Sequence, residues 1–180
     1  GRDNVVRANT SLTWLLNRSW VTNLKIEGSV NYNDNRLHEH AYTTTAATGQ
    51  PAVHSENKGY FLATMLPSSY FSDRIVDSRE LDFAAAFKYE WFRRWGGVKN
   101  HVKAGVQWKA NGNAGQGEYY EDPALAANGY RPRPYSDYPY LHNLATYLED
   151  NLTVPIGKTS LSLSAGLRME NIFVKGTEYK

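Results

Sequence analysis

Apolar and polar residues alternate with a period of two along six segments of this chain. The clearest segment begins at Thr22 and carries, at alternate positions, Leu24, Ile26, Gly28, Val30 and Tyr32, with polar residues between them. Side chains alternate across a strand, so each segment predicts a β-ribbon with one apolar and one polar face. No stretch repeats apolar residues at the helical spacing i, i+3, i+4, i+7, so we expect little helix.

The connections between the segments alternate between short and long. The predicted strands are Val5–Leu16, Thr22–Asn33, Glu80–Trp91, His101–Lys109, Leu144–Val154 and Leu161–Glu170. Tight turns at Asn17–Ser19, Gly96–Gly97 and Pro155–Lys158 alternate with long polar connections, Asp34 to about Ser72 and Asn111 to Tyr140. Within the first long connection, Tyr60–Phe71 is a candidate extra strand that Pro67 disfavours. The chain is therefore predicted to be all-β, an antiparallel up-and-down meander of about six long strands in a single unit, residues 1–180.

The asymmetry of the connections favours a segment of a transmembrane β-barrel. All short turns fall at one end of the strands and both long loops at the other, as in outer-membrane barrels. Aromatic residues cluster beside the short turns (Trp14, Trp20, Trp91, Phe92, Trp95), and Tyr32 and Trp108 lie near the opposite strand ends. Rings at both edges of an apolar band are typical of the aromatic girdles of such barrels. The charged opposite face suits a water-filled lumen and an ordinary solvent-facing sheet equally well.

Composition narrows the alternatives. No apolar run approaches the roughly 20 residues of a membrane helix, whereas a membrane strand needs only about 9 to 11. The chain has no Cys, which excludes disulfides and thiolate metal sites, and its net charge of +2 argues against a nucleic-acid partner. It opens on Gly1-Arg2-Asp3-Asn4 and stops at Glu178-Tyr179-Lys180. We therefore expect it to be a piece of a larger protein.

Two clusters invite a chemical interpretation that the sequence does not favour. His38, Glu39, His40 and His54 suggest a metal site, but a site needs three or four converging ligands and a polar loop gives no such order. Glu118, Glu121 and Asp122 suggest glycoside hydrolysis, which requires two carboxyls at a fixed separation across a cleft. We predict no catalytic residues, no metal, no cofactor and no enzyme activity.

The second long connection is the candidate ligand-binding loop. Its rings and guanidinium groups suit sugars, peptides or anionic chelates; they are Tyr119, Tyr120, Tyr130, Arg131, Arg133, Tyr135, Tyr138 and Tyr140. Four prolines would stiffen the loop and lower the ordering cost of binding. The alternative is a structural loop that packs on its own rings.

The last third of the chain resembles a known family. A Tyr130-Arg131-Pro132-Arg133-Pro134-Tyr135 stretch leads to a strand with Tyr147-Leu148-Glu149-Asp150, and after a tight turn comes Ala165-Gly166-Leu167-Arg168. This order resembles the barrel of TonB-dependent outer-membrane receptors. The resemblance implies a barrel of about 22 strands around an N-terminal plug, in the bacterial outer membrane, importing a metal chelate, cobalamin, an oligosaccharide or a peptide. It implies membrane lipid, an extracellular small molecule or glycan, and the TonB complex as partners, the last through a plug and a TonB box not found here.

Two other functions remain open from the residues alone. A self-contained soluble β-barrel or sandwich that binds a small ligand or glycan would show the same alternation, and so would a small adhesive or structural surface domain. If the segment is isolated in water, its apolar row has to be covered. We then expect it to curl into a small barrel or sandwich with that row inside, or to pair with another copy.

Overall fold

The computed structural model describes residues 1–44, 68–126 and 133–174, without the side chain of Ala124. The chain is all-β, an antiparallel meander in one open sheet, which confirms the predicted fold class. The described residues form seven strands: β1 (Arg2–Arg18), β2 (Val21–Thr44), β3 (Ser69–Trp95), β4 (Val98–Asn113), β5 (Gly117–Tyr120), β6 (Leu141–Ile156) and β7 (Thr159–Val174). Two 3-10 turns, Pro123–Leu125 and Tyr135–Asp137, lie between β5 and β6. None of the helices among the described residues is long and apolar enough to cross a membrane.

Strand order follows chain order, which is the simplest topology for a meander. The order is β1-β2-β3-β4-β6-β7, and the short β5 pairs with β3. The predicted hairpins are present, and their turns use residues with positive φ: Gly96 at 51° and Gly97 at 98° after β3, and Gly157 at 60° after β6. A glycine has no Cβ, so it adopts these angles without steric cost. The first hairpin turns at Ser19–Trp20, and Asn17 just before it takes a φ of 45°.

The two central strands are much longer than predicted. β2 has 24 residues and β3 has 27, and both extend into the stretch that the alternation assigned to a loop. Beyond Asn33 the alternate positions of β2 are Asp34, Arg36, His38 and His40, so the period of two continues without an apolar face to reveal it. The predicted extra strand at Tyr60–Phe71 overlaps this extension only in its last three residues, 69–71, which begin β3; residue 68 is a bend, and residues 60–67 lie outside the described residues.

β5 follows β4 after a short break and pairs with the same neighbouring strand, β3. The backbone N–H of Ala114 donates to the carbonyl of Arg79, and pairing then resumes with Asp77 opposite Gly117 and Arg74 opposite Tyr120. At the break, Gly115 lies so close to β3 that a Cβ there would be 2.2 Å from the carbonyl oxygen of Asp77. Only glycine allows this approach of two backbones.

Backbone contacts divide the chain into two compact units, which we describe separately. The first unit comprises Gly1–Val6, Tyr32–Leu81 and Gly112–Pro139, and the second comprises Arg7–Asn31, Asp82–Asn111 and Tyr140–Lys180. All three tight turns belong to the second unit. Apart from Asn111 and Tyr140, the described residues of both long connections belong to the first.

In the second unit, the predicted apolar residues share one face. Residues directly opposite each other in a ladder point to the same side, and the register pairs Trp108 with Leu144 and Leu148 with Leu167. Large side chains of this apolar row are about 40 to 65% exposed: Leu12, Trp14, Ile26, Phe87, Val106, Leu148, Leu161, Leu163, Leu167 and Met169. The same register also places one carboxylate, Asp150, opposite Val102 and Ala165 within this row.

The opposite face of the second unit carries a network of polar contacts between strands. Lys88 and Lys25 both bind the carboxylate of Glu27, at 2.5 and 2.6 Å. Three chains of hydrogen bonds accompany this cluster: Arg7–Asn31–Asp82, Asn23 to Glu90, and Ser164–Asn151–Glu149. Such opposite-charge and amide contacts between neighbouring strands stabilise a sheet and fix its register.

An aromatic ring fills the space left by a glycine on this polar face. Gly105 is directly opposite Tyr147 in the register. A Cβ on Gly105 would be 2.5 Å from the Cε1 atom of Tyr147, so the ring lies directly over the glycine. This pairing compensates for the missing side chain in the middle of β4.

The sheet stays open, and its apolar row is not covered. β1 and β7 are at the two ends of the strand order, and every residue in both strands is exposed. Full burial is confined to a few side chains in the described residues, among them Val21, Ile75, Ala110, Ala126 and Ala145. The small inward-turned barrel or sandwich expected for an isolated segment is therefore not the form that the chain adopts here.

Candidate functional site

The candidate ligand-binding loop is partly strand and partly 3-10 turn. Tyr119 and Tyr120 belong to β5, and because they are consecutive in a strand they point to opposite faces. Tyr135 begins the second 3-10 turn and its ring lies 3.4 Å from where a Cβ on Gly117 would stand. Tyr140 directly precedes β6 and belongs to the second unit, whereas the other described members belong to the first. Tyr130 and Arg131 lie outside the described residues.

Arg133 packs against Tyr138 in the same loop. The Cζ atom of its guanidinium is 4.4 Å from the centre of the Tyr138 ring, a cation–π contact. The backbone of this segment is tied to the break before β5, because the N–H of Ser136 donates to the carbonyl of Gly115 at 3.1 Å. These contacts agree with the alternative in which the loop orders itself on its own rings. Four of the predicted ligand-binding residues that follow β5 lie in the described part of the chain: Arg133, Tyr135, Tyr138 and Tyr140. Two of these four, Arg133 and Tyr138, pack on each other.

Arg74 joins three strands on one face of the first unit. Its guanidinium donates to Glu39 on β2 at 2.6 Å and to Glu118 on β5 at 2.8 Å. The hydrogen bond from Arg74 lowers the pKa of Glu118 below its ordinary value of 4.5, and the two carboxylates raise the pKa of Arg74. Glu118 is therefore committed to an ion pair, which leaves the carboxylate-pair interpretation without support from its position.

Two histidines meet a single carboxylate oxygen on the other face of the first unit. His38 through Nε2 and His40 through Nδ1 lie 2.8 and 2.7 Å from the same Oδ1 of Asp73. These hydrogen bonds, the one from His40 first, lower the pKa of Asp73 below its ordinary value of 3.8. The prediction that His38 and His40 point the same way is thus confirmed. The third imidazole of that cluster, His54, is outside the described residues.

The described members of this cluster do not form a metal site. Within residues 1–44, 68–126 and 133–174, no group of three or more His, Asp or Glu side chains is arranged to hold an ion. Asp73 instead joins β2 to β3 as a hydrogen-bond acceptor. The contact is extended by rings, because His40 stacks on Phe71 at 4.7 Å and Tyr42 packs on Phe71 at 5.0 Å.

The sequence analysis did not predict the polar contacts of three residues of the first unit. Arg36 donates to the hydroxyl of Tyr119 at 3.3 Å, and Glu39 and Arg74 form the ion pairs described above. Arg36 and Glu39 lie in the first long connection, which was interpreted as a loop, and Arg74 lies between that connection and the third predicted strand. A signal was present, because charged or imidazole side chains occupy the alternate positions Asp34, Arg36, His38 and His40.

Comparison with known protein families, with curated proteins and with solved structures finds no match to this chain. Function therefore has to be argued from the two faces of the sheet and from the polar clusters of the first unit.

Proposed function

We propose that this chain is a wall segment of an outer-membrane β-barrel of the TonB-dependent import receptor class. The observation that carries the proposal is the exposed apolar row of the second unit, set opposite a face of paired charges. An outer-membrane barrel alternates lipid-facing and lumen-facing residues in this way along each strand.

The energetics of the apolar row favour a hydrocarbon environment. Leu163, Leu167 and Met169 are 54, 65 and 65% exposed, and they continue a row that extends across the strands of the sheet. Fully burying a side chain of this size is worth about 1.5–3 kcal/mol. Contiguous apolar patches of this kind mark a membrane or an interaction surface. Acyl chains can cover these side chains because an apolar side chain has no polar group that needs a hydrogen-bond partner.

The aromatic residues support the same placement. Trp14, Trp20 and Trp95 are 41, 62 and 52% exposed and lie near the tight turns. Nearby, the indole N–H of Trp91 donates to the carbonyl of Ser19 at 2.8 Å, which anchors one ring to the first hairpin. Half-exposed rings with one polar atom are favoured at the boundary between hydrocarbon and water.

The import part of the proposal depends on the resemblance carried by β6 and β7. Its two motifs face each other in the ladder, with Tyr147 opposite Arg168 and Asp150 opposite Ala165. A receptor of this class would place lipid outside the wall and would engage the TonB complex through a plug and its box. The imported ligand would be a small molecule or a glycan from outside the cell, met by the loops at the end opposite the tight turns.

Single cysteines would test the membrane part, because the chain has none of its own. Leu163→Cys and Ser164→Cys are neighbours on opposite faces of β7. In the full reading frame expressed in the outer membrane, a water-soluble maleimide should label Ser164→Cys and spare Leu163→Cys. Equal labelling of both would overturn the proposal.

The reading frame itself would test the receptor part. It should encode an export signal, a plug and the further strands of a large barrel. A frame that encodes a cytosolic protein without an export signal would instead favour the soluble ligand-binding module.

A further inference from the structure

One face of the first unit combines basic side chains with exposed rings. We call it the basic–aromatic face and define it by Arg36, His38, His40, Tyr42, Phe71 and Tyr119. The contacts described above place these residues on the same side of β2, β3 and β5: Arg36 reaches Tyr119, and His40 reaches both Asp73 and Phe71. Tyr42 and Phe71 are 60 and 56% exposed, so their rings are open to a partner.

Arg36 is the cation on this face that is not neutralised. Its guanidinium donates to the Tyr119 hydroxyl, and in the described part of the chain it forms no ion pair. Nearby, Arg2 pairs with Asp34 at 3.6 Å, and the Asp73 carboxylate accepts hydrogen bonds from His38 and His40. Each imidazole uses one ring nitrogen for Asp73, which leaves the other for a second partner. The face therefore offers a planar guanidinium fork beside imidazole and phenol groups.

We propose that the basic–aromatic face binds the phosphate groups of anionic lipid in the outer leaflet. This inference rests on the proposed function. The guanidinium fork matches the geometry of a phosphate, and basic residues next to a membrane attract anionic head groups. Exposed rings beside the cations suit the same interfacial layer.

The position of Arg36 along β2 fits the depth of that layer. Tyr32 is the last ring in the apolar series of β2, and Arg36 follows it four residues later on the same face. Four residues of strand span about 13 Å, and a tilt of about 45° reduces this to roughly 9 Å of depth. With the Tyr32 ring at the edge of the hydrocarbon, the Arg36 side chain therefore lies in the head-group layer.

The experiment compares three probes on the full chain refolded in octyl glucoside micelles, which carry no phosphate. The probes are lipid A, lipid A with its phosphates removed, and inorganic phosphate. We expect lipid A to bind and the dephosphorylated lipid to bind more weakly, with the preference falling as ionic strength rises. Equal affinity for both lipids would overturn the inference. Competition by inorganic phosphate as strong as that of lipid A would also overturn it, because the site would then be one for free phosphate.

Arg36→Gln should weaken lipid A binding about fivefold, the effect expected for one basic residue at a lipid surface. Arg7→Gln is the matched control, because Arg7 also has a single neutral partner at the same 3.3 Å, the Oδ1 of Asn31. It should leave the affinity unchanged, and Arg36→Lys should restore most of it. Equal losses in Arg36→Gln and Arg7→Gln, or no loss in Arg36→Gln, would overturn the inference.

The failure of this inference can be separated from failure of the proposed function. A chain that shows the two-face cysteine labelling but no preference for the phosphorylated lipid would refute the phosphate site alone. A chain that fails the labelling test would refute the membrane barrel, and the lipid site with it.

Discussion

At the scale of single residues, Arg74 is the side chain on which three strands of the first unit depend. It binds Glu39 and Glu118 on its two neighbours, while about a third of its own side chain is exposed. Exposed ion pairs of this kind are each worth only about 0.2–1 kcal/mol. The strand they hold, β5, has only four residues, so even this small free energy matters for its attachment.

Acidification should loosen β5 through Glu118. Arg74 lowers the pKa of Glu118 in the folded chain, so the ion pair stabilises the fold fully above the ordinary pKa of 4.5. That contribution is lost as pH falls through the lowered, folded-state pKa. We expect hydrogen-exchange protection of the amides in 117–120 to fall as pH drops below the ordinary carboxyl range and through the lowered pKa of Glu118. In Glu118→Gln this fall should be much smaller.

The neighbouring exposed carboxyl provides the control for that measurement. Glu121→Gln should keep the wild-type pH profile, since the structure joins Glu121 to β3 through its backbone N–H, which donates to Asp73. A wild-type profile in Glu118→Gln would show that the Arg74 pair does not hold β5. Asp73 also has a lowered pKa, so a small residual pH dependence is expected in Glu118→Gln.

At the scale of elements, the break between β4 and β5 depends on the absence of a side chain at Gly115. A Cβ there would be 2.2 Å from the Asp77 carbonyl and 2.9 Å from the Arg79 nitrogen, and both are backbone atoms that cannot rotate away. Gly115→Ala should therefore push β5 off β3 and lower protection of its amides about tenfold or more. Gly166→Ala is the control, because its Cβ would meet nothing nearer than 3.6 Å. Equal protection in both variants would contradict this account.

The sequence predicted the elements whose two faces differ in polarity. Six strands were located because residues such as Leu24 and Phe83 alternate with charged neighbours. The outer ends of β2 and β3 were not located, because polar and apolar residues are mixed on both faces of each strand and neither face shows an apolar period. β5 was missed because four residues, Gly117–Tyr120, are too few to show a period.

The candidate site was predicted less completely than the fold. The choice of tyrosines and arginines in the second long connection rested on residue type alone. It could not reveal that Tyr119 meets Arg36, a contact between residues 83 positions apart. Nor could it reveal that Tyr119 and Tyr120 point to opposite faces, which followed only from the pairing of β5 with β3. Contacts of long sequence separation are set by register, and the register of a mostly polar segment is weakly encoded in its sequence.

At the scale of the whole molecule, Asp150 is a charged residue within the apolar row that we assign to lipid, and it can be used to test that assignment. The register places this exposed carboxylate between Leu148 and Leu152 in the apolar row, opposite Ala165. An ionisable group on the lipid face of a barrel strand is destabilising, by less than the 2–4 kcal/mol of a basic residue. On a face that meets water, the same carboxylate would cost nothing.

Asp150→Leu should therefore raise the free energy of unfolding in phosphatidylcholine vesicles, by about 1–2 kcal/mol. Urea titration followed by tryptophan fluorescence measures it. Glu149→Leu, one position along on the polar face, should have the opposite effect, because it removes the acceptor of the 2.7 Å hydrogen bond from Asn151. If Asp150→Leu destabilises the chain as much as Glu149→Leu does, both faces of β6 meet water, and the sheet is the wall of a soluble protein. Opposite signs for two adjacent carboxylates would follow only from one dry and one wet face.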